Sequence, residues 1–264
     1  MKKIFLTGAS SGIGLAIANQ LCADGHEVWG TSRDLKRIPS NSHLHPVLLD
    51  LGDPSSVRAS FNGALAEASY FDVVINNAGS GHFDPAASVS SEVLAMQFQT
   101  LVLSQIELCQ LALNAMRARG AGLIINVSSL ASRLPVPFMS GYNAAKAAMA
   151  AFTMTLQLEL RDSQIHVVDL QPADIATRFN ESISRSKYLD DPVVAATREI
   201  VDHNMRNAPR PDLVARRVST LILEPSPPPR VTVGGSFQAL IAPLIFRFLP
   251  QRVGIWGLRK YYRL

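Results

Sequence analysis

Tyr142 and Lys146 stand four residues apart, and Ser129 precedes the tyrosine by thirteen. On a helix, positions i and i+4 share a face, so this spacing predicts a lysine ammonium beside a phenol. A phenol ordinarily ionises near pKa ~10, and a neighbouring cation favours the phenolate and lowers that value. The pair therefore predicts a proton donor and acceptor usable near neutral pH. Ser129, at the end of an apolar run, is placed to hydrogen-bond the same substrate oxygen. The chemistry expected of this trio is hydride transfer between a carbonyl and an alcohol, with Tyr142 as general acid and base. Taken alone, Y-x-x-x-K is a common pair on helix surfaces; the rest of the chain decides between the two readings.

The segment TGASSGIG, Thr7 to Gly14, lies between an apolar strand and a helix. Gly8, Gly12 and Gly14 permit a tight turn and let a pyrophosphate reach the backbone. The helix start supplies N–H donors and the positive end of its dipole. Ser10, Ser11 and Ile13 complete the turn. A glycine turn in that context predicts dinucleotide binding.

With NNAG at Asn76–Gly79 added, the sequence resembles the short-chain dehydrogenase/reductase family. TGASSGIG resembles its cofactor turn, NNAG its fourth-strand motif, and Ser129, Tyr142 and Lys146 its catalytic Ser–Tyr–Lys. PADIAT, from Pro172 to Thr177, resembles its Pro-Gly-x-x-x-Thr segment, with Ala173 in place of Gly. The likeness spans residues 1–235, and the length and the Leu-Pro-Gln-Arg tail loosely resemble the steroid/retinol-dehydrogenase-like branch.

The resemblance implies an oxidoreductase in which Tyr142 exchanges the proton and Ser129 orients the carbonyl. Lys146 lowers the phenol's pKa and bonds the nicotinamide ribose. It further implies that Asn77, Ala78 and Gly79 pack around the adenosine ribose and that Asp50 and Leu51 flank the adenine. Pro172 and Ala173 border the cofactor, and Ile175 and Thr177 contact the carboxamide. Family members pair through the long helix and the tyrosine-bearing helix, so a homodimer or homotetramer is expected.

Two positions bear on how well the pattern is filled. The family's usual Asn in the long helix, which holds a water beside the lysine, falls at Leu101. Gln99 lies on a different helix face and substitutes only if the helix bulges. This departure keeps open a second class, a cofactor-binding regulator or partner subunit with little or no catalysis. At the end of the second strand, Gly30-Thr31-Ser32-Arg33 carries no acid for a ribose 2′-hydroxyl. Arg33 suits a 2′-phosphate, so NADP(H) is expected in preference to NAD(H), with Asp34 the reservation.

The elements needed to position these groups are legible. Apolar, β-branched strands alternate with helical patterns, which predicts one α/β domain over 1–264, a doubly wound Rossmann fold with a parallel sheet of about seven strands and helices on both faces. Asp53 caps a helix opened by Pro54, Gly25 stops the first helix, and one long helix is expected from Ser91 to Arg119. Residues 177–206 read as a substrate lid of weak helical character. Phe83, Phe138 and Met139 are candidate walls of an apolar substrate pocket.

Composition narrows the function classes. Cys22 and Cys109 form no metal or disulfide spacing, and His43-x-His45 has no acidic partner nearby in sequence, so no metal is expected. No stretch is long enough to cross a membrane, and a reducing cytoplasm is the expected setting. The net charge of +4 is lopsided: no acid follows Glu224, whereas Arg230, Arg247, Arg252, Arg259, Lys260 and Arg263 do. No nucleic-acid motif accompanies that charge. The basic, aromatic tail 236–264 has two readings. It lies peripherally in a membrane interface, or it caps the pocket or a subunit interface. Pro243, Pro250, Gly254 and Gly257 are expected to interrupt any long helix there.

Overall fold

Strands buried on both faces read as continuous apolar runs rather than alternating ones. In the computed structural model, which describes residues 1–177, 188 and 190–264, this is how the centre is built. Val73–Asn76 (β4) is buried throughout, and Lys3–Leu6 (β1) is buried after its first residue. The remaining strands are Glu27–Ser32 (β2), Leu44–Leu48 (β3), Ala121–Val127 (β5), Gln164–Pro172 (β6) and Arg230–Val233 (β7). Among the described residues the result is one seven-stranded sheet, all parallel, in the order β3-β2-β1-β4-β5-β6-β7.

Helices cover both faces. Gly12–Ala23 (α1) and Asp212–Leu221 (α7) pack Ile17, Leu21, Val214 and Val218 against Ile4, Leu6 and Val73. On the other face Pro54–Ala68 (α2), Ser104–Arg119 (α4) and Ser140–Glu159 (α5) pack Phe61, Leu108, Met116 and Leu156 against Phe5, Val74 and Ile124. Each such side chain, fully buried, is worth about 1.5–3 kcal/mol. Ser91–Phe98 (α3) precedes α4, and Pro192–Arg206 (α6) is a regular helix capped by Asp191. Of the expected lid, residues 178–187 and 189 lie outside the described residues.

The caps fall where expected. The Asp53 carboxylate accepts from the Ser55 amide, and Gly25 takes a left-handed φ of 80° just past α1. The long helix is not uniform: between α3 and α4, Gln99–Leu103 winds as a wider π turn. The tail also departs from expectation. Pro250 separates Ala242–Phe248 (α8) from Gln251–Tyr261 (α9), but Pro243 sits in the first turn of α8, and Gly254 and Gly257 lie within α9 without breaking it.

Two expectations about small groups are refined. His43 and His45 do find an acid: Glu27 on the adjacent strand sets one carboxylate oxygen 2.7 Å from each imidazole. Among the described residues no group of three His, Cys, Asp or Glu side chains is placed to hold a metal ion. Both cysteines are buried, and desolvation pushes the Cys109 thiol up to about 12.

Candidate active site

In a doubly wound sheet, chains leave the carboxyl ends of β1 and β4 in diverging directions and open a crevice. A cavity of ≈ 1580 Å³ lies there. The expected catalytic and cofactor residues line it: Gly8, Ser10, Ser11, Gly12, Ile13 and Gly14 of the glycine turn, Arg33, Asp50, Leu51, Asn77, Ala78, Gly79, Ser129, Tyr142, Lys146, Pro172, Ala173, Ile175 and Thr177.

The glycine turn fits a pyrophosphate. Gly8 and Gly12 take φ of 75° and 55°, where a Cβ is strained. At Gly14 a Cβ would stand 2.1 Å from the Gly8 carbonyl oxygen, so only glycine lets α1 start this close to the strand. NNAG holds the opposite wall. The Thr7 hydroxyl accepts from the Asn77 and Ala78 amides at 2.8 and 2.9 Å, and the Asn77 side chain donates to the Thr7 carbonyl. Gln105 on α4 donates to the Ala78 carbonyl at 2.8 Å. Asn76 bonds Asn126 on β5, which bonds Thr153 on α5, so buried amides tie the motif to the tyrosine-bearing helix.

At the β2 end, Ser32, Arg33 and Arg37 line the cleft. Arg37 was not singled out from the sequence; its position on the turn after β2 brings it there. Asp34 also lines the cleft; one of its carboxylate oxygens caps the Leu35–Arg37 turn by accepting from the Lys36 amide. Asp50 similarly accepts from the Gly52 amide.

Ser129 follows β5; its hydroxyl accepts from the Ala131 amide at 3.0 Å, and the side chain lines the cleft with Tyr142. Lys146 is buried, one turn along α5, and its ammonium donates to the Val127 carbonyl at 2.8 Å. Its nitrogen is 5.9 Å from the Tyr142 ring centre. The electrostatics differ from the sequence expectation. Burial outweighs all else at the phenol and raises its pKa; the neighbouring Ser129 hydroxyl lowers it, and the Asp174 charge raises it further. Burial also pulls Lys146 down to about 8, while Asp169 opposes that shift. Asp169 was missed in the sequence because it lies within an apolar strand. It is buried in β6, bonded to Ser128 and Gln171 and paired with Arg230 at 3.0 Å.

Leu101 lies in the π turn, so the helix does bulge there. Yet Leu101 is fully buried with Val102, Ala145 and Met149, and Tyr142 packs beside it. Gln99 turns to Ser104, donating at 2.9 Å, and does not take the missing place beside the lysine. Of the proposed pocket walls only Met139 lines the cleft; Phe83 and Phe138 pack behind it with Val194, Val201 and Tyr262. The tail lines the cleft as well, through Phe246, Leu249, Val253, Trp256, Tyr261 and Tyr262.

A glycine cradle at the switch point of a parallel sheet, facing a Ser–Tyr–Lys set, defines the class of dinucleotide-linked oxidoreductases built on a Rossmann domain. The chain belongs to the short-chain dehydrogenase family, whose model, described as short chain dehydrogenase, matches residues 2–187. It is 30% identical to a protein named 3-ketodihydrosphingosine reductase from Bacteroides thetaiotaomicron, over 99% of this chain and 98% of that one. It is 27% identical to the probable short-chain type dehydrogenase/reductase VdlC of Helicobacter pylori, over 93% and 92%. Among solved structures, a short-chain dehydrogenase from Streptomyces avermitilis superposes with a TM-score of 0.81 at 25% identity, over 99% and 97%. A metagenomic short-chain oxidoreductase in complex with NADP does so at 0.71 and 26% identity, over 88% and 96%.

Proposed function

We propose that this oxidoreductase is an NADP(H)-dependent reductase of an apolar ketone, with Tyr142 as the proton donor. The observation that carries the reading is Tyr142 and Ser129 lining one cleft with the glycine cradle, with a buried lysine one helical turn from the phenol. The nicotinamide, when bound, supplies the hydride. The phenol's raised pKa keeps it protonated at neutral pH, which suits an acid that delivers its proton to a carbonyl oxygen as that oxygen gains negative charge. Ser129 offers a second hydrogen bond to the same oxygen. Lys146, kept cationic by the field of Asp169, stabilises the phenolate left behind.

Arg33 and Arg37, two guanidinium groups lining the β2 end of the cleft, support the preference for a 2′-phosphate. A Cβ at Gly79 would stand 2.6 Å from a Leu101 methyl and 3.8 Å from the Lys146 ammonium, so glycine lets the NNAG wall approach them. The relative named 3-ketodihydrosphingosine reductase supports reduction of a keto group. The apolar tail wall supports a long aliphatic substrate. The tail itself supports a membrane-interface position. Phe248 and Trp256 are 75% and 62% exposed, and Arg247, Arg252, Arg259 and Lys260 lie on the same two helices, the combination that binds an anionic bilayer surface. No described helix is long and apolar enough to cross a membrane.

The test is Tyr142→Phe assayed with NADPH and a panel of long-chain ketones. Turnover falls by three or more orders of magnitude while NADPH still binds. Unchanged turnover would remove the tyrosine from its role, and tight NADPH binding by the native protein with no ketone reduced would favour the regulator class instead.

A further inference from the structure

Asp174 is a charged group lining the cleft with Tyr142, and the proton-transfer chemistry gives it nothing to do. It follows Ala173 on the loop after β6 and lines the same cavity as Tyr142. Its Oδ2 accepts from Gln238 in the tail at 2.6 Å. Among the described residues no Lys, Arg or His stands within ion-pair distance of it. Desolvation raises its pKa, and its charge is felt by the phenols of Tyr142, Tyr261 and Tyr262, each of which it pushes up.

A desolvated carboxylate is costly unless a positive group completes it. Here it also opposes the reaction, because the phenolate left on Tyr142 would form beside another anion. A cation delivered with the substrate resolves both problems. The phenol reaches the ketone oxygen, so a group that meets Asp174 while the oxygen meets Tyr142 sits close to the carbonyl carbon. The rings of Tyr261 and Tyr262 flank the same end of the cleft and add π faces suited to a small cation. Beyond them Leu249, Val253 and Trp256 offer only apolar surface for the remainder of the molecule.

We propose that Asp174 forms an ammonium subsite, and that the substrate is a long-chain ketone with a protonated primary amine on a carbon adjacent to the carbonyl or one removed. This rests on the reductase reading above and adds the substrate's polar group to it. Gln238 holds the carboxylate in place, and so couples the subsite to the tail that closes over it.

Asp174→Asn tests the charge alone, because the amide oxygen still accepts from Gln238. With saturating NADPH, a long-chain 2-amino-3-ketone is compared with its N-acetyl derivative, which keeps the shape and loses the charge. The native enzyme favours the free amine in kcat/KM by about 30-fold or more, and in Asp174→Asn the ratio collapses to within about threefold, chiefly through KM. No preference in the native enzyme, or a ratio untouched by the substitution, overturns the subsite. A binding arm uses the 2-amino-3-alcohol and its N-acetyl form in the presence of NADPH, where no turnover occurs. If neither ketone is reduced, the reductase reading fails. The subsite then still stands if the native protein binds the charged alcohol more tightly and Asp174→Asn abolishes the difference; equal binding overturns it.

Discussion

Lys146 and the two arginines at the β2 end show how single side chains acquire roles from their surroundings. A buried lysine whose pKa falls to about 8 is disfavoured in its charged form by folding. The unfolded chain therefore binds the extra proton between pH about 8 and the ordinary lysine value of 10.5. Lys146 costs the unliganded fold most below pH 8, and the cost fades as pH rises through that window. A shift of this size corresponds to roughly 3 kcal/mol. Lys146→Met should therefore stabilise the unliganded protein more at pH 7 than at pH 10, by several degrees in Tm; an equal effect at both would show that the cation is solvated. Arg33 and Arg37 line the cleft and are proposed to meet the cofactor's 2′-phosphate. Replacing both by Ala should cut the NADPH-over-NADH preference in kcat/KM about 100-fold or more, as expected when two charge-assisted contacts to a phosphate are lost. A native enzyme that prefers NADH would refute the assignment.

The π turn decides the character of its helix. Gln99–Leu103 widens the helix beside the lysine, and Leu101 fills the space with hydrocarbon. A leucine holds no water, so under the proposed mechanism protons are expected to return to Tyr142 through the cleft and not through this helix. Small buffer acids should then raise turnover of the native enzyme at low buffer concentration. Leu101→Asn should remove that dependence while costing about 1–3 kcal/mol of stability from a polar group buried among apolar ones. Turnover indifferent to buffer in the native enzyme would point to another relay. The turn was foreseeable only as a condition on Gln99. The bulge exists, but Gln99 spends its amide on Ser104, a partner that the linear order does not reveal.

At the scale of the molecule, one end of the sheet collects the chemistry and the tail closes it. Ile245, Leu249, Val253 and Trp256 both line the cleft and meet solvent, so the substrate mouth opens through the surface proposed to meet the bilayer. The protein should co-sediment with vesicles containing anionic phosphatidylglycerol and release at high salt. Phe248→Glu with Trp256→Glu should abolish co-sedimentation without loss of fold. Native protein that stays in the supernatant would leave the tail as a cap alone. Met96, Leu103, Met154 and Leu158 are exposed on the long helix and on α5, a surface suited to a second copy of the chain.

The strand–helix alternation, the glycine turn, NNAG and the Ser129–Tyr142–Lys146 set were all legible in the sequence, because each depends on local spacing: period, turn geometry, and the i to i+4 step of one helix. Even Leu101 could be placed by counting. Other properties arise only when distant segments meet in a desolvated space. Asp169 faces Lys146 from another strand, Asp174 meets Gln238 and two tail tyrosines, and Arg37 joins Arg33 across a turn. The direction of the Tyr142 shift belongs with them. The sequence set a cation beside the phenol, but the fold buries both and separates the ammonium from the ring centre by 5.9 Å. Desolvation depends on everything packed around a group, and no spacing along the chain encodes it.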